Sequence, residues 1–454
     1  MCFLFYTSFI TLCFIVFLQK KALRTSVFKN IENPIVWQQK MLTWTQQYRE
    51  VVVLDSNVAA NKNQPFKSYD FMVAVDAFTS IKTDTHQAFE DFHQYQSHTN
   101  DWLFGYLTYD LKNDTEKLTS TNFDGLNFPD LYFFQPKKLF LLKGNQLEIK
   151  YLNFCDDEVE SDFLEIEETV CFTEPSEQIT IQARTNKELY LERVTAMQKH
   201  ILLGNIYEAN YCMEYFAEQA NINPLTVYSN LNTISQAPFS VFLKLDKQFL
   251  LSASPERYLK KIEQKVISQP IKGTAKRNEN PEEDAALIVR LKNDPKEQAE
   301  NVMIVDLVRN DLSKTAIKNS VKVTEQCAIY SFKQVHQMIS TIESEVDLDV
   351  SVAKLLKSTF PMGSMTGAPK VSAMQIIEAL ESFKRGAYSG AVGYFTPEGD
   401  FDFNVVIRSI LYNRSKKYLS YAVGSAITAK SNPEKEYLEC LLKAKAMRQV
   451  LEEV

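Results

Sequence analysis

The sequence predicts an α+β protein with mixed or antiparallel sheets and peripheral helices. Three observations point there. Strand-like and helix-like segments do not alternate in the βαβ rhythm that a doubly wound sheet requires. Neighbouring apolar runs are joined by short turn-forming pairs, as in hairpins. The chain's 454 residues also exceed what one ordinary core organises, so two domains are expected.

Taken in order, Met1–Leu18 is almost wholly apolar, and Lys20, Lys21 and Arg24 follow it. That stretch is just long enough to span a bilayer, but it lacks the basic start and small-residue cleavage site of a signal peptide. Residues 1–22 therefore read as a doubtful leader, either upstream of the true start or an anchor. Both alternatives leave the body cytoplasmic, with membrane association not expected of it. Residues 23–170 read as an N-terminal companion domain, 171–185 as a linker and 186–454 as the main domain.

In the first domain, Val51–Leu54 is a short strand stopped by Asp55-Ser56-Asn57. Phe71–Val75 and the aromatic run Trp102–Tyr109 are further strands, and Leu139–Ile149 reads as a hairpin around Gly144-Asn145. The acid-rich stretch Asp156–Glu168 reads as a linker or a solvated excursion. In the second domain, Lys187–Leu203 has helical spacing, with Leu189, Val194, Met197 and Ile201 inward and Gly204 ending it. Ser240–Leu245 and Phe249–Ser254 read as paired strands.

Composition narrows the function. A net charge of −7 with scattered lysines excludes a nucleic-acid footprint. Seven cysteines without a CxxC pair fit reduced thiols, and five histidines leave little material for a zinc site or a Cys-His pair.

Several segments carry possible chemistry. Pro270-Ile271-Lys272-Gly273-Thr274 places an amine in a glycine-bent turn beside a hydroxyl. Such an amine is a nucleophile where its surroundings keep part of it unprotonated. Asp294-Pro295 caps a helix start that sets Glu297 and Glu300 on one face; Asn432-Pro433 repeats this with Glu436 and Glu439. A first-turn glutamate also complements the helix dipole, so either start alone reads as a cap. Opposed, the two offer up to four carboxylates to one hard cation such as Mg²⁺. Gly363-Ser364-Met365-Thr366-Gly367 offers backbone N–H groups and two hydroxyls before a helix read as Pro369–Phe383, a carboxylate or phosphate seat or simply a tight loop. Arg408 sits in the apolar run Phe403–Ser409, read as a strand, and needs a bidentate carboxylate or a structural partner; Tyr388 places a phenol near it.

Together these segments resemble the chorismate-utilising enzyme family across about residues 186–450. The matching motifs are Pro270–Thr274, Glu297–Glu300, Val305–Asp311, Gly363–Lys370, Ile407–Ser409 and Glu436–Glu439; Leu54–Ser56 and Gly105–Leu107 match the family's companion domain. The resemblance implies a large sandwich-like fold of the anthranilate-synthase type, with Mg²⁺ and chorismate between its sheets. It implies substrate contacts from Arg408, Ser364, Thr366, Gly367, Tyr388, Gly424 and Lys443, and metal contacts from Glu297, Glu300, Glu436 and Glu439. A lysine at 272 is the pattern of members that make 4-amino-4-deoxychorismate for para-aminobenzoate; anthranilate synthases carry alanine there. The implied role of Lys272 is attack on ring carbon 2 with loss of the 4-hydroxyl, then displacement by ammonia at carbon 4, with Thr274 contacting a substrate carboxylate. Glu208 stands where water-using relatives carry a base lysine. Cys212 lacks the flanks of a glutaminase elbow, so ammonia is expected from a separate glutamine amidotransferase subunit. The alternatives are an anthranilate synthase component I and a catalytically weak chorismate-binding subunit. Departures from the family pattern are Asn301 and Gln337 at histidine positions, with His336 one place earlier, and Ala426 where glycine is common.

Overall fold

A computed structural model describes residues 23–61, 65–171 and 177–452. The expected leader over 1–22 and residues 172–176 of the expected linker lie outside the described residues. Among the described residues no helix is long and apolar enough to cross a membrane.

Two long strands, Phe71–Thr83 and Leu131–Lys143, organise the fold. They pair antiparallel from Phe71↔Leu142 to Thr83↔Leu131, with a register shift between Ala77 and Thr79. Asp76 takes a left-handed φ of 61° there, and such a bulge bends the ribbon. On either side of the bend the strand pair seeds a different branch of sheet.

The first branch runs from Phe71–Thr83 through Glu50–Asp55, Phe239–Leu245, Gln248–Ser254, Ser409–Asn413 and Tyr418–Ile427 to Glu208–Ala217. On the other edge of this strand pair Gln146–Leu152 and then Arg24–Asn30 are added. The second branch runs from Leu131–Lys143 through Leu103–Leu107, Ala391–Phe395, Phe401–Val405, Arg257–Ile262 and Lys265–Gln269 to Val335–Glu345. Both Ile271–Lys276 and Lys322–Ser331 pair with that last strand. The N-terminal segment thus supplies neighbours to the later strands in both branches, at Glu50–Asp55 and at Leu103–Leu107.

Alternate residues divide between two cores, as the strand period of two requires. Val52, Met72 and Ala74 join Phe133, Phe395 and Phe403 between the branches, with Ile304, Val305, Val308 and Leu312 of the helix Pro295–Ser313. Val51, Val53, Phe71 and Val73 face outward, under the helices Pro34–Trp44, Lys187–Leu202, Pro224–Ser235 and Pro433–Glu452. In Lys187–Leu202 the buried stripe is led by Tyr190 with Val194 and Met197, while Leu189 and Ile201 are half-buried.

The acid-rich stretch is not an excursion. Val159–Glu168 is a helix whose Asp162 is buried, accepting from Tyr151 Oη at 2.7 Å and pairing with buried Lys138. A lysine buried in a strand needs a carboxylate, and this segment supplies it. The helix read as Pro369–Phe383 spans Lys370–Leu380; Met374, Ile377 and Leu380 are buried, but Val371, in the first turn, is exposed.

Candidate active site

The far ends of the two branches meet. Lys272, expected in a turn, lies instead on the strand Ile271–Lys276, whose register slips between Ile271 and Thr274. Gly273, at φ +93°, forms the slip, and an added Cβ there would lie 3.1 Å from Glu297 Oε2. Left-handed backbone this close to an acidic side chain favours glycine. Lys272 Nζ donates to Glu208 Oε1 at 2.9 Å. Glu208 opens the strand Glu208–Ala217 at the end of the other branch, and its Oε2 has no partner.

Burial pushes the Lys272 amine down, but Glu208, then Glu300 and Glu256, outweigh it and the net shift is upward. These neighbours favour the ammonium form of Lys272, where the sequence alone suggests a partly unprotonated amine. The reason lies in its carboxylate neighbours, 64 residues away in the case of Glu208.

Gly367 positions Glu208. Gly367–Ala368 pairs with Ala209 and Glu208, and an added Cβ on Gly367 would fall 2.2 Å from Glu208 O. Lys370, at the start of the next helix, ties the loop down. Its Nζ donates to Pro361 O at 2.8 Å and to Thr359 O at 3.1 Å, and it pairs with Asp311. The hydroxyls of the expected anion seat are already engaged: Thr366 Oγ1 donates within the loop to Met362 O or Gly363 O, at 3.3 Å each. Ser364 Oγ donates to Glu256 Oε1 at 2.7 Å.

Glu256 is the site residue that sequence reading missed. It is buried, and burial pushes its carboxyl up to about 7, against the opposing pull of its Ser364 bond and of Lys272. Only an acid directly after Pro255 at a strand end marks it in the sequence.

The two acidic helix starts form as capped helices. Asp294 accepts from Lys296 N at 2.9 Å and Glu297 N at 3.2 Å; Asn432 accepts from Lys435 N at 3.1 Å. The starts do converge, but on an ammonium: Lys296 Nζ lies 3.6 Å from Glu300 Oε1 and 3.6 Å from Glu436 Oε1. Burial opposes its charge, and Glu300, Glu436, Glu297 and Glu439 together overcome that. Burial raises Glu300 to about 7, and Glu300 Oε1 has no hydrogen-bond partner. Burial would raise Glu439 as well, but Lys443, paired at 2.7 Å, holds it below its ordinary value. Among the described residues no three acidic, histidine or cysteine side chains are gathered closely enough to hold a metal as they stand. In kind the donors fit a hard dication: all are carboxylates, one has an unpartnered buried oxygen, and a cation already stands between two of them.

Arg408 is not within a strand. It lies where the chain crosses from Phe401–Val405 in one branch to Ser409–Asn413 in the other, and its φ of 54° makes the reversal. Its Nη1 donates to Lys443 O at 2.8 Å, and among the described residues no carboxylate pairs with it. Burial lowers its pKa, as expected of a guanidinium short of anionic partners. Lys443 Nζ donates to Gly424 O at 2.8 Å, and Gly424 has no room for a Cβ, which would lie 2.5 Å from Cys212 Sγ. Arg408, Lys443 and Glu439 thus form one cluster, and Tyr388, buried, donates to Cys212 Sγ at 3.7 Å.

The remaining residues play smaller parts. Thr274 is exposed and pairs through its backbone with Gln337. His336 has both ring nitrogens engaged, Nε2 with Asp284 Oδ1 at 2.9 Å and Nδ1 with Ser331 Oγ at 2.8 Å. Gln337, next along the strand, points to the other face, with its buried Oε1 unpartnered. Asn301 accepts from Ser340 Oγ at 2.5 Å. The thiol of Cys212 is pushed up to about 12 by burial, which makes it inert as a nucleophile.

This grouping of amine, carboxylates and guanidinium agrees with what the chain is similar to. The pattern of the chorismate binding enzyme family matches residues 35–449. The chain belongs to that family. It is 39% identical over 289 residues to an aminodeoxychorismate synthase of Streptomyces griseus, covering 63% of this chain and 39% of that protein. It is 36% identical over 282 residues to aminodeoxychorismate synthase component 1 of Escherichia coli, covering 61% and 62%. To an anthranilate synthase component I-like protein of Synechocystis it is 33% identical over 355 residues, covering 77% and 72%. The chain spans about two fifths or less of the length of the first of these relatives and of the plant ones. Its fold superposes on anthranilate synthase component I from Streptococcus pneumoniae with a TM-score of 0.75 at 23% identity, covering 85% of this chain and 93% of that one. The expected α+β fold of this type is therefore observed.

Proposed function

We propose that this chain aminates chorismate to 4-amino-4-deoxychorismate, using ammonia delivered by a separate glutamine amidotransferase. The observation that carries the proposal is Lys272, buried against Glu208 with Glu300 and Glu256 nearby. An alanine there would leave no nucleophile, and ammonia would have to react directly.

Glu208 is the base in reach of the Lys272 ammonium. Once Lys272 has passed a proton to it, the free amine bonds to ring carbon 2. Both ring double bonds shift by one place toward carbon 4, and the carbon 4–oxygen bond breaks. Glu256, at about 7, is the proton donor suited to the departing hydroxyl, which leaves as water. Ammonia then bonds to carbon 4, both double bonds return, and Lys272 departs from carbon 2 as the amine. Arg408, with only a backbone carbonyl for partner among the described residues, is suited to one substrate carboxylate, and Lys443 with Gly424 O backs it. Glu297, Glu300, Glu436 and Glu439 would hold Mg²⁺, which supplies charge neutralisation for the other carboxylate when bound. Cys212, whose thiol burial pushes up to about 12, is ill suited to be a glutaminase nucleophile.

The deciding experiment incubates purified chain with chorismate, Mg²⁺ and an ammonium salt, and identifies products by mass. The non-aromatic amino-diene is expected; anthranilate, or binding without turnover, would overturn the proposal.

A further inference from the structure

Resting on the metal role proposed for the four glutamates, we infer that Lys296 is a built-in counter-cation. Its ammonium neutralises the two acidic helix starts in the metal-free protein, and the divalent ion binds by displacing it. Lys296 Nζ stands 3.6 Å from Glu300 on its own helix and 3.6 Å from Glu436 on the C-terminal helix. Both distances exceed those of a charge-assisted hydrogen bond, so the ammonium sits between the carboxylates without committing to either. Glu300 Oε1 is left without a hydrogen-bond partner although the cation is beside it. An ion placed only by Coulomb attraction is easily exchanged for one of higher charge.

The backbone is built for such an exchange. Asp294 caps Lys296 N and Glu297 N, so the helix start is fixed while the side chain is free to turn. That side chain is 49% exposed, whereas those of Glu300 and Glu436 are 11% and 5% exposed. The lysine head can return to water and the carboxylates cannot. A dication in its place attracts each carboxylate about twice as strongly at equal distance. Without any cation, the buried carboxylates would repel one another across the two helices.

The test uses the full chain, stripped with a chelator and then titrated with Mg²⁺ by calorimetry and with Mn²⁺ by electron paramagnetic resonance, in the absence of chorismate. Lys296→Met is expected to bind either ion about tenfold more tightly than the natural chain, because no competing charge remains. Lys296→Arg, which keeps the charge, is expected to bind no more tightly than the natural chain. The melting temperature of metal-free Lys296→Met should fall and be restored by Mg²⁺, with a larger metal-induced rise than in the natural chain. If Lys296→Met does not fold without metal, it is refolded with Mg²⁺ and the affinity measured by chelator competition. Equal or weaker metal binding by Lys296→Met, with the natural chain binding normally, would overturn the counter-cation role. Absence of metal binding by the natural chain would instead overturn the metal role of the glutamates.

Discussion

Lys272 Nζ and Glu208 Oε1, 2.9 Å apart, join the far strands of two sheet branches that part company at the long antiparallel strand pair. The pair has two duties, holding the ends together and holding a proton. Lys272→Ala should abolish the amino-diene product, a loss of at least about 100-fold, the scale expected when a positioned reacting group is removed. The variant should also unfold more easily, since a buried carboxylate is left alone. Glu208→Gln should keep the fold and lose activity. Product mass and urea denaturation read the two effects separately, and undiminished turnover by Lys272→Ala would end the covalent role.

Arg408 should matter for binding. Arg408→Gln is expected to raise KM for chorismate by about 10–100-fold, the range for losing a charged hydrogen bond. Arg408→Lys should recover only part of this, because an ammonium lacks the planar fork. Steady-state kinetics at saturating ammonium check it; a change confined to kcat would point away from carboxylate binding.

The pH profile of stability follows from two raised carboxyls. Glu256 and Glu300 stand at about 7, against an ordinary 4.5. Between those values the folded chain holds more protons than the unfolded chain, so these groups make stability fall as pH rises. Their contribution is complete above pH about 7. In thermal melts of metal-free protein, the double variant Glu256→Gln, Glu300→Gln should lose that downward component relative to the natural chain. An identical slope in both proteins would show that neither carboxyl is raised.

Gly367→Ala should cost more than about 2 kcal/mol, since its Cβ would fall 2.2 Å from Glu208 O on the neighbouring strand. Gly204→Ala, with nothing within 4 Å but a φ of +79°, should cost only about 1 kcal/mol of backbone strain. Urea denaturation of the two variants separates collision from strain. The first should also lose activity, because the displaced strand carries Glu208.

Local chemistry was the legible part. The hairpin around Gly144-Asn145 and the caps at Asp294 and Asn432 are decided by residues within a few positions of one another, and they stand where the sequence puts them. Arg408 was misplaced because an apolar run reads as one strand even where the chain leaves one sheet branch for another. Glu256 was missed because its character comes from burial and from Ser364, 108 residues away. The carboxylates that favour the Lys272 ammonium are likewise distant in sequence, whereas the turn chemistry around it is local.

The bent strand pair at Asp76 belongs to both branches, so the layers cannot part there as two halves on a hinge. They resemble tongs riveted at one end, with Lys272 and Glu208 at the tips. Any flexing near the rivet would widen the gap at the tips more than at the rivet itself.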